Sequence, residues 1–264
     1  MSLIVPSVPT DPANTSPAIW YDLPRQLAEV ANGTAIAQVD DFSGNDRHGT
    51  QGTTAAQGEV AVNQVNGLPV ILTDGDDDRY FIQNTSALTQ NIGSMVVYAV
   101  AQSLDTSGNR YQLFFSTGSG GFTRCGLRQN GSVWSTGARR LDTDAFASTS
   151  SGVDTDTFAI VAGHYDWAGN QLHIYVNGDL ADTSAISTAG NTSDTASGSN
   201  VFAGAPTAAF WHGHTAEQIV RIGTPTPQEF SGVHLYLEDK YGINTNVPRL
   251  SSGAFGGIIG GDVF

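Results

Sequence analysis

Apolar residues in the body of the chain occur in short runs separated by glycine, asparagine, aspartate and serine. Such runs are typical of β-strands, whereas amphipathic helices place apolar residues three and four positions apart. Helical spacing is missing between the runs, which disfavours a parallel sheet with crossover helices. Many short strands joined by turns predict an all-β sandwich or barrel. The runs that we interpret as strands are Leu68–Thr73, Tyr80–Gln83, Ser94–Ala101, Tyr111–Ser116, Phe158–Ala162, Gln171–Val176 and Glu217–Ile222.

Two Asn-Gly dipeptides, Asn177-Gly178 and Asn130-Gly131, predict tight hairpins. A type I′ turn needs positive φ at both central residues, and Asn-Gly adopts that conformation readily. We therefore expect a strand to end before each dipeptide and its antiparallel partner to begin after it.

One helical pattern stands near the C-terminal end of the body. Thr226 and Glu229 have the spacing of a capping box, with Pro227 at the first helical position and Gly242 where a left-handed cap would end the helix. The pattern predicts one amphipathic helix of about 15 residues packed on the β-strands. Its apolar stripe is Phe230, Val233, Leu237 and Tyr241.

Charge and composition limit the partners of the chain. It has 264 residues with 25 acidic and 11 basic side chains, a net charge of −14, and Lys240 as its single lysine. Nucleic-acid binding needs clustered Lys and Arg, so we expect no nucleic-acid partner. A single cysteine, Cys125, excludes a disulfide scaffold and is expected to be a buried apolar residue. No apolar run is long enough to cross a membrane, and the first residues lack the basic and apolar parts of a signal peptide.

Six segments of the body occur in an order that matches a known pattern: Ile19–Asp22, Val39–Thr50, Asn66–Val70 with Leu72–Asp77, Ile174–Gly178, Ala216–Ile219 and Leu235–Ile243. This order resembles the concanavalin A-like lectin/glucanase superfamily, in particular its laminin-G-like and pentraxin-like domains. The resemblance implies a jelly-roll sandwich of two antiparallel sheets over residues 18–243, with Trp20 in the core. It implies no single activity, because members bind sugars, hydrolyse them, bind proteins or serve as structural modules.

Composition divides the chain into a proline-rich extended arm (1–17), the body that resembles the sandwich (18–243) and a glycine-rich tail (244–264). Both ends carry apolar residues, and ordering a flexible end costs about 1 to 2 kcal/mol per residue, so we expect a partner surface to hold them. The candidate assembly contacts are Leu3, Ile4, Val5 and Val8 in the arm and Phe255, Ile258, Ile259 and Phe264 in the tail.

Sugar-binding sites combine aromatic rings with Asn and Asp side chains in loops. The first candidate is a loop between two predicted strands, although core packing is the commoner fate of such rings. The candidate residues are Tyr165, Asp166, Trp167 and Asn170 in that loop, with Trp134 and Trp211 from others.

A second candidate site lies in the segment Asp74-Gly75-Asp76-Asp77-Asp78, which places four carboxylates within five positions. Calcium prefers such oxygen ligands, but an ordinary Asp-Gly turn has the same residues. Asp74, Asp76, Asp77 and Asp78 are thus candidate ligands of a weakly bound Ca²⁺, and no other cofactor is indicated.

A retaining glycosidase needs two carboxylates about 5 to 5.5 Å apart, and the glucanase relatives carry theirs on one strand. Glu217 stands alone on its strand, so we expect no catalytic residue and no enzyme.

The two apolar ends favour a non-enzymatic structural protein of a bacteriophage virion. It would be a capsid decoration, head fibre or tail-associated lectin-like protein, made in the host cytoplasm and carried on the outer surface. Its arms would dock on copies of itself or on other virion proteins, and its loops would face host-surface glycans. The low lysine content agrees with this hypothesis, because lysine is depleted at protein interfaces. The alternative is a bacterial carbohydrate-binding or adhesion module, and a glycoside hydrolase is a third hypothesis.

Overall fold

The computed structural model describes residues 9–117, 122–196, 199–205 and 208–249. In these residues sixteen strands form two antiparallel sheets of eight strands each, together with two α-helices. The predicted all-β, two-sheet sandwich with a helix near its C-terminal end is therefore confirmed.

The first sheet contains, in spatial order, β14 (Asp179–Ser184), β13 (Gln171–Val176), β12 (Ala159–Asp166), β7 (Ser94–Ser103), β16 (His212–Ile222), β5 (Leu68–Asp74) and β4 (Glu59–Val65), with β1 (Ile19–Asp22) also paired to β16. The second sheet contains β11 (Ala147–Asp154), β10 (Val133–Ala138), β9 (Phe122–Asn130), β8 (Asn109–Thr117), β15 (Ser199–Phe202), β6 (Tyr80–Ile82), β3 (Gly49–Thr50) and β2 (Gln38–Val39). Some strands that are neighbours in a sheet, such as β7 and β16, are distant in sequence, so long connections join them.

The main core lies between the two sheets, because alternate side chains of each strand point to the same face. Large rings fill it: Trp134 stacks on Trp211 with their centroids 5.5 Å apart, and Tyr165 stacks on Trp167 at 5.7 Å. Cys125 is fully buried there, as predicted. A second apolar cluster lies on the opposite face of the first sheet, where a helix covers it.

That covering helix is α2 (Pro227–Tyr241), and it has the predicted ends. Thr226 and Glu229 form the reciprocal capping box, and Gly242 ends the helix at φ 67°. Val233, Leu237 and Tyr241 are buried against the sheet beside Trp20. A five-residue helix, α1 (Leu23–Leu27), is too short to show a periodic pattern and was not predicted.

The two predicted hairpin turns differ. Asn177 and Gly178 have φ values of 50° and 85°, and Val176 pairs with Asp179, as a type I′ turn requires. In the other hairpin Asn130 pairs with Val133, so the loop consists of the two residues after Asn130. The prediction that Asn130 occupies the turn is wrong by one residue, because a turn with glycine first, at φ 65°, joins these strands.

The described parts of both arms lie on the sandwich. The Thr10 amide donates to the Gly232 carbonyl at 2.9 Å, and the Asn246 amide donates to the Asn177 carbonyl at 3.3 Å. The eight predicted assembly contacts, Leu3, Ile4, Val5, Val8, Phe255, Ile258, Ile259 and Phe264, lie outside the described residues. No helix among the residues placed by the structure is long and apolar enough to cross a membrane.

Candidate functional site

The aromatic rings predicted to bind sugar are core residues. Trp134, Tyr165, Trp167 and Trp211 each have 0 % exposure. The Tyr165 hydroxyl accepts a hydrogen bond from the Thr136 hydroxyl at 2.7 Å, and the Trp167 indole donates to the Arg139 carbonyl at 3.0 Å. The prediction that these rings stack on a sugar is therefore wrong, because no sugar face can reach them.

The polar members of the same loop stabilise the loop itself. Asp166 accepts a hydrogen bond from the Gly169 amide at 2.8 Å, and Asn170 accepts one from the Ser187 amide at 2.9 Å. Both side chains are half-buried. Without an accessible ring beside them, they no longer form the predicted sugar site.

The acidic segment is where the sequence-predicted ligands come together. Carboxylate oxygens of Asp74, Asp77 and Asp78 all lie within 4.8 Å of one another. Calcium binds oxygen at about 2.3 to 2.6 Å, so one ion fits between atoms at that spacing. Asp76 lies outside this group, and its amide instead donates to Asp74 at 2.8 Å. Of the four predicted ligands, three are assembled and one forms the turn.

Two of these carboxylates, Asp74 and Asp78, line a cleft of about 350 Å³ at the end of β5. The opposite walls come from the segment before β4, the first residue of β16 and the residue after β7. The cleft thus combines carboxylates, an amide, a hydroxyl, an imidazole and an apolar side chain. Its lining includes Asp74, Asp78, Glu59, Gln57, Thr54, His212 and Leu104.

Local geometry explains how the acidic turn reaches the cleft. Asp78 accepts a hydrogen bond from the Asp74 amide at 2.9 Å, which closes the turn. Gly75 has φ 82°, and a Cβ there would come within 2.6 Å of the His212 Cβ. His212 pairs with Asp74 across the two strands, and Arg110 donates to the Gly75 carbonyl at 3.0 Å. The turn is therefore held against β16 and β8 with its carboxylates at the cleft wall.

Asp78 is the buried member, with 5 % exposure. Its pKa is raised to about 6, chiefly because burial disfavours the charged carboxylate, with repulsion from Asp74, Asp77 and Glu59 adding to it. The hydrogen bond from the Asp74 amide opposes this shift. A cation in the cleft would favour the ionised form of Asp78 by cancelling the repulsion.

Sequence reasoning missed the cleft residues that come from other parts of the chain. Glu59 pairs with Leu72, and His212 pairs with Asp74, so both reach the acidic turn through strand register. Register between distant strands cannot be read from one sequence. Leu104 is 48 % exposed and follows the predicted strand Ser94–Ala101, and nothing in the sequence around it indicated a binding site.

Glu217, the carboxylate considered for hydrolysis, is a structural residue. It is 1 % exposed and accepts hydrogen bonds from the Trp20 indole at 2.7 Å and from Lys240 and the Tyr241 hydroxyl at 2.6 Å each. Lys240 also binds Asp22 at 2.6 Å. Burial raises the pKa of Glu217, and Lys240 opposes that shift. This carboxylate joins β1, β16 and α2 and is not accessible to a glycosidic bond.

No protein-family model matches this chain, and no curated protein matches it in sequence. Solved structures match its fold. The CBM40 module of the Ruminococcus gnavus IT-sialidase, solved with α2,3 sialyllactose, gives a TM-score of 0.51 at 15 % identity over 61 % of this chain and 93 % of that one. The receptor-binding domain of botulinum neurotoxin D gives 0.56 at 12 % identity over 86 % of this chain and 54 % of that one.

A third structural neighbour is the Trypanosoma rangeli sialidase in complex with the inhibitor DANA. Its TM-score is 0.57 at 14 % identity, over 92 % of this chain and 37 % of the sialidase. The chain thus spans about half of the toxin domain and little more than a third of this enzyme. At such identities the likeness shows a shared β-sandwich fold. Membership of the concanavalin A-like superfamily agrees with that fold and stays a prediction.

Proposed function

We propose that this chain is a non-catalytic glycan-binding module and that the cleft beside Asp78 holds the sugar. Sugar hydroxyls are recognised by carboxylate, amide and hydroxyl groups, all of which line this cleft. Its volume of about 350 Å³ lies within the usual range for small-molecule sites. The cleft, lined by Asp74 and Asp78 of the assembled carboxylate group, is the observation that carries the proposal.

The chemistry of the cleft supports two modes of contact. Asp74 and Asp78 would bind ring hydroxyls directly, or the two together with Asp77 would bind them through a shared Ca²⁺. Leu104, half-exposed at the wall, offers an apolar surface to the C–H face of a sugar ring. A polar wall facing an apolar one can distinguish the two faces of a sugar.

The structural neighbours support binding rather than catalysis. One was solved with sialyllactose bound, and another is a toxin receptor-binding domain. Sialidases are also among the matches, but Glu217 and the neighbouring Asp22 are 1 % and 6 % exposed and share the Lys240 ammonium, so a substrate cannot reach them.

The virion hypothesis gains no support from these comparisons. Its assembly contacts lie outside the described residues, and none of the reported neighbours is a virion protein. The free module, which was the alternative, is the better-supported hypothesis, and host-surface glycan remains the proposed partner.

A glycan array probed with the full chain, in Ca²⁺ and in EDTA, tests the proposal. We expect retention of at least one glycan and its loss in Asp78→Asn. Asp156→Asn is the matched control, because Asp156 is exposed and lies outside the cleft. Absence of any retained glycan, or equal retention by Asp78→Asn, would contradict the proposal. Equal glycan retention in Ca²⁺ and in EDTA would show that calcium is not needed, and binding would then rest on direct contact between the cleft residues and the sugar.

A further inference from the structure

The outer face of the second sheet carries arginine and aromatic side chains together. On β9, Cys125 and Leu127 point into the core, so Gly126 and Arg128 point to the opposite face. Six of the ten arginines belong to this sheet or to the loops that flank it: Arg79, Arg110, Arg124, Arg128, Arg139 and Arg140.

Two rings lie close to the backbone of this face. Gly126 pairs with Gly137 on the neighbouring strand. The Tyr111 ring covers the first glycine, since a Cβ there would come within 2.6 Å of its Cε1 atom. The Phe146 ring covers the second in the same way. The paired glycines thus let two aromatic rings lie side by side on the sheet.

Arg128 lies between these two rings. Its guanidinium carbon is 5.7 Å from the centroid of Tyr111 and 5.7 Å from that of Phe146. One Nη donates weakly to the Tyr111 hydroxyl at 3.4 Å, and the Nε is buried without a hydrogen-bond partner. The side chain is half-buried.

Arg128 has no carboxylate partner in the part of the chain that the structure places. Arg110, Arg124, Arg221 and Arg249 each form an ion pair. Carboxylates of the nearby 139–146 loop are already engaged: Asp142 with Arg124, and Asp144 with the Leu141 amide and Ser187. In the described residues, two aromatic rings and the Tyr111 hydroxyl therefore hold this guanidinium.

We propose that Tyr111, Arg128 and Phe146 form a second binding surface, for a saccharide that carries a carboxylate. A guanidinium presents planar, forked donors that match a carboxylate and form charge-assisted hydrogen bonds with it. The two rings hold the fork in place and offer apolar contact to the sugar ring. This surface is separate from the acidic cleft and does not depend on calcium.

Titration calorimetry with trigalacturonate, and with its fully methyl-esterified form as the uncharged control, tests the surface. We expect the acid to bind at least about tenfold more tightly than the ester, because the ester keeps the sugar rings but not the charge. Arg128→Met should lower the affinity about tenfold or more, and Arg128→Lys should not restore it, since lysine lacks the fork. Arg249→Met, at an exposed arginine elsewhere, should bind like the parent.

Sialyllactose and a sulfated disaccharide serve as further probes of the anionic group. Binding of either carboxylated sugar with loss in Arg128→Met supports the proposal, whereas preference for the sulfated sugar overturns its carboxylate assignment. Equal binding of acid and ester, unchanged binding by Arg128→Met, or no binding of any acidic probe overturns it altogether. Asp78→Asn and EDTA should leave this binding unchanged, so the failure of the cleft and the failure of this surface are distinguishable. Unchanged melting temperatures would show that the variants fold.

Discussion

Removal of the Lys240 ammonium should destabilise the protein more than removal of any exposed charge. Lys240→Met keeps most of the side-chain volume and leaves two carboxylates, Glu217 and Asp22, without their cation. Glu217 is 1 % and Asp22 is 6 % exposed, so water cannot replace the lost partner. Breaking one side of a buried ion pair costs about 3 to 5 kcal/mol. We expect a loss of that size in the free energy of unfolding at pH 7.5.

Urea unfolding followed by tryptophan fluorescence measures this loss, because all four tryptophans are buried. Arg249→Met is the control: Arg249 is 42 % exposed and pairs with Glu238 and Asp239, so its loss should cost less than about 1 kcal/mol. The double variant Lys240→Met/Glu217→Gln should be more stable than Lys240→Met alone, because it removes one uncompensated charge.

The pH dependence gives an independent check of the same reasoning. Burial raises the pKa of Glu217, and the loss of Lys240 removes the group that opposes the shift. When folding raises the pKa of a carboxyl group, the free energy of unfolding of the protein falls as the pH rises from the unfolded-state pKa to the folded-state pKa. The deficit of Lys240→Met should therefore shrink on acidification. A variant within about 1 kcal/mol of the parent at pH 7.5 would refute the idea that this network carries buried charge.

Three further predictions concern other parts of the chain. Asp78→Asn should raise the melting temperature at pH 7.5, because a buried carboxyl with a pKa near 6 lowers the stability of the fold once it is ionised. This advantage should disappear below about pH 4, where the carboxyl is protonated. Equal melting temperatures of parent and variant at both pH values would contradict the prediction. Millimolar Ca²⁺ should raise the melting temperature of the parent at pH 7.5 and should not do so in Asp74→Asn/Asp77→Asn, whereas an equal effect on both would exclude this group as a calcium site. Burial lowers the pKa of His234 to about 4, so acidification from pH 6.5 to 4 should cost up to about 3 kcal/mol, and His234→Phe should abolish this part of the loss in urea titrations at both pH values.

Local signals predicted the parts of the fold that local interactions determine. The capping box at Thr226 and the left-handed Gly242 appear in the structure where the sequence indicated them. The turn at Asn177-Gly178 formed because both residues tolerate positive φ, whereas Asn130 was displaced from its turn by strand register. Register depends on packing between distant strands, which one sequence does not reveal.

In the candidate sites too, local sequence predicted some residues, and contacts between distant strands determined the others. Asp74, Asp77 and Asp78 were recognisable because they are neighbours in sequence, but Glu59 and His212 join them only through strand pairing. Trp134, Trp167 and Trp211 were misassigned because a ring beside a Gly-rich loop has the same local sequence whether it faces water or the core. Burial decided the matter, and burial is a property of the whole sandwich.

Because the chain has a single lysine, acylation of that lysine can report when helix α2 separates from the sheet. Its ammonium is held by Asp22, Glu217 and the Tyr236 hydroxyl, with only 19 % of the side chain exposed. An amine-selective acylating reagent can react with this ammonium only when it leaves those partners, so its labelling rate follows the separation of α2 from the sheet. No other lysine contributes to the signal. In a peptide map, acylation of Lys240 is read separately from that of the α-amino group, so the single lysine supplies a kinetic probe of how the sandwich opens.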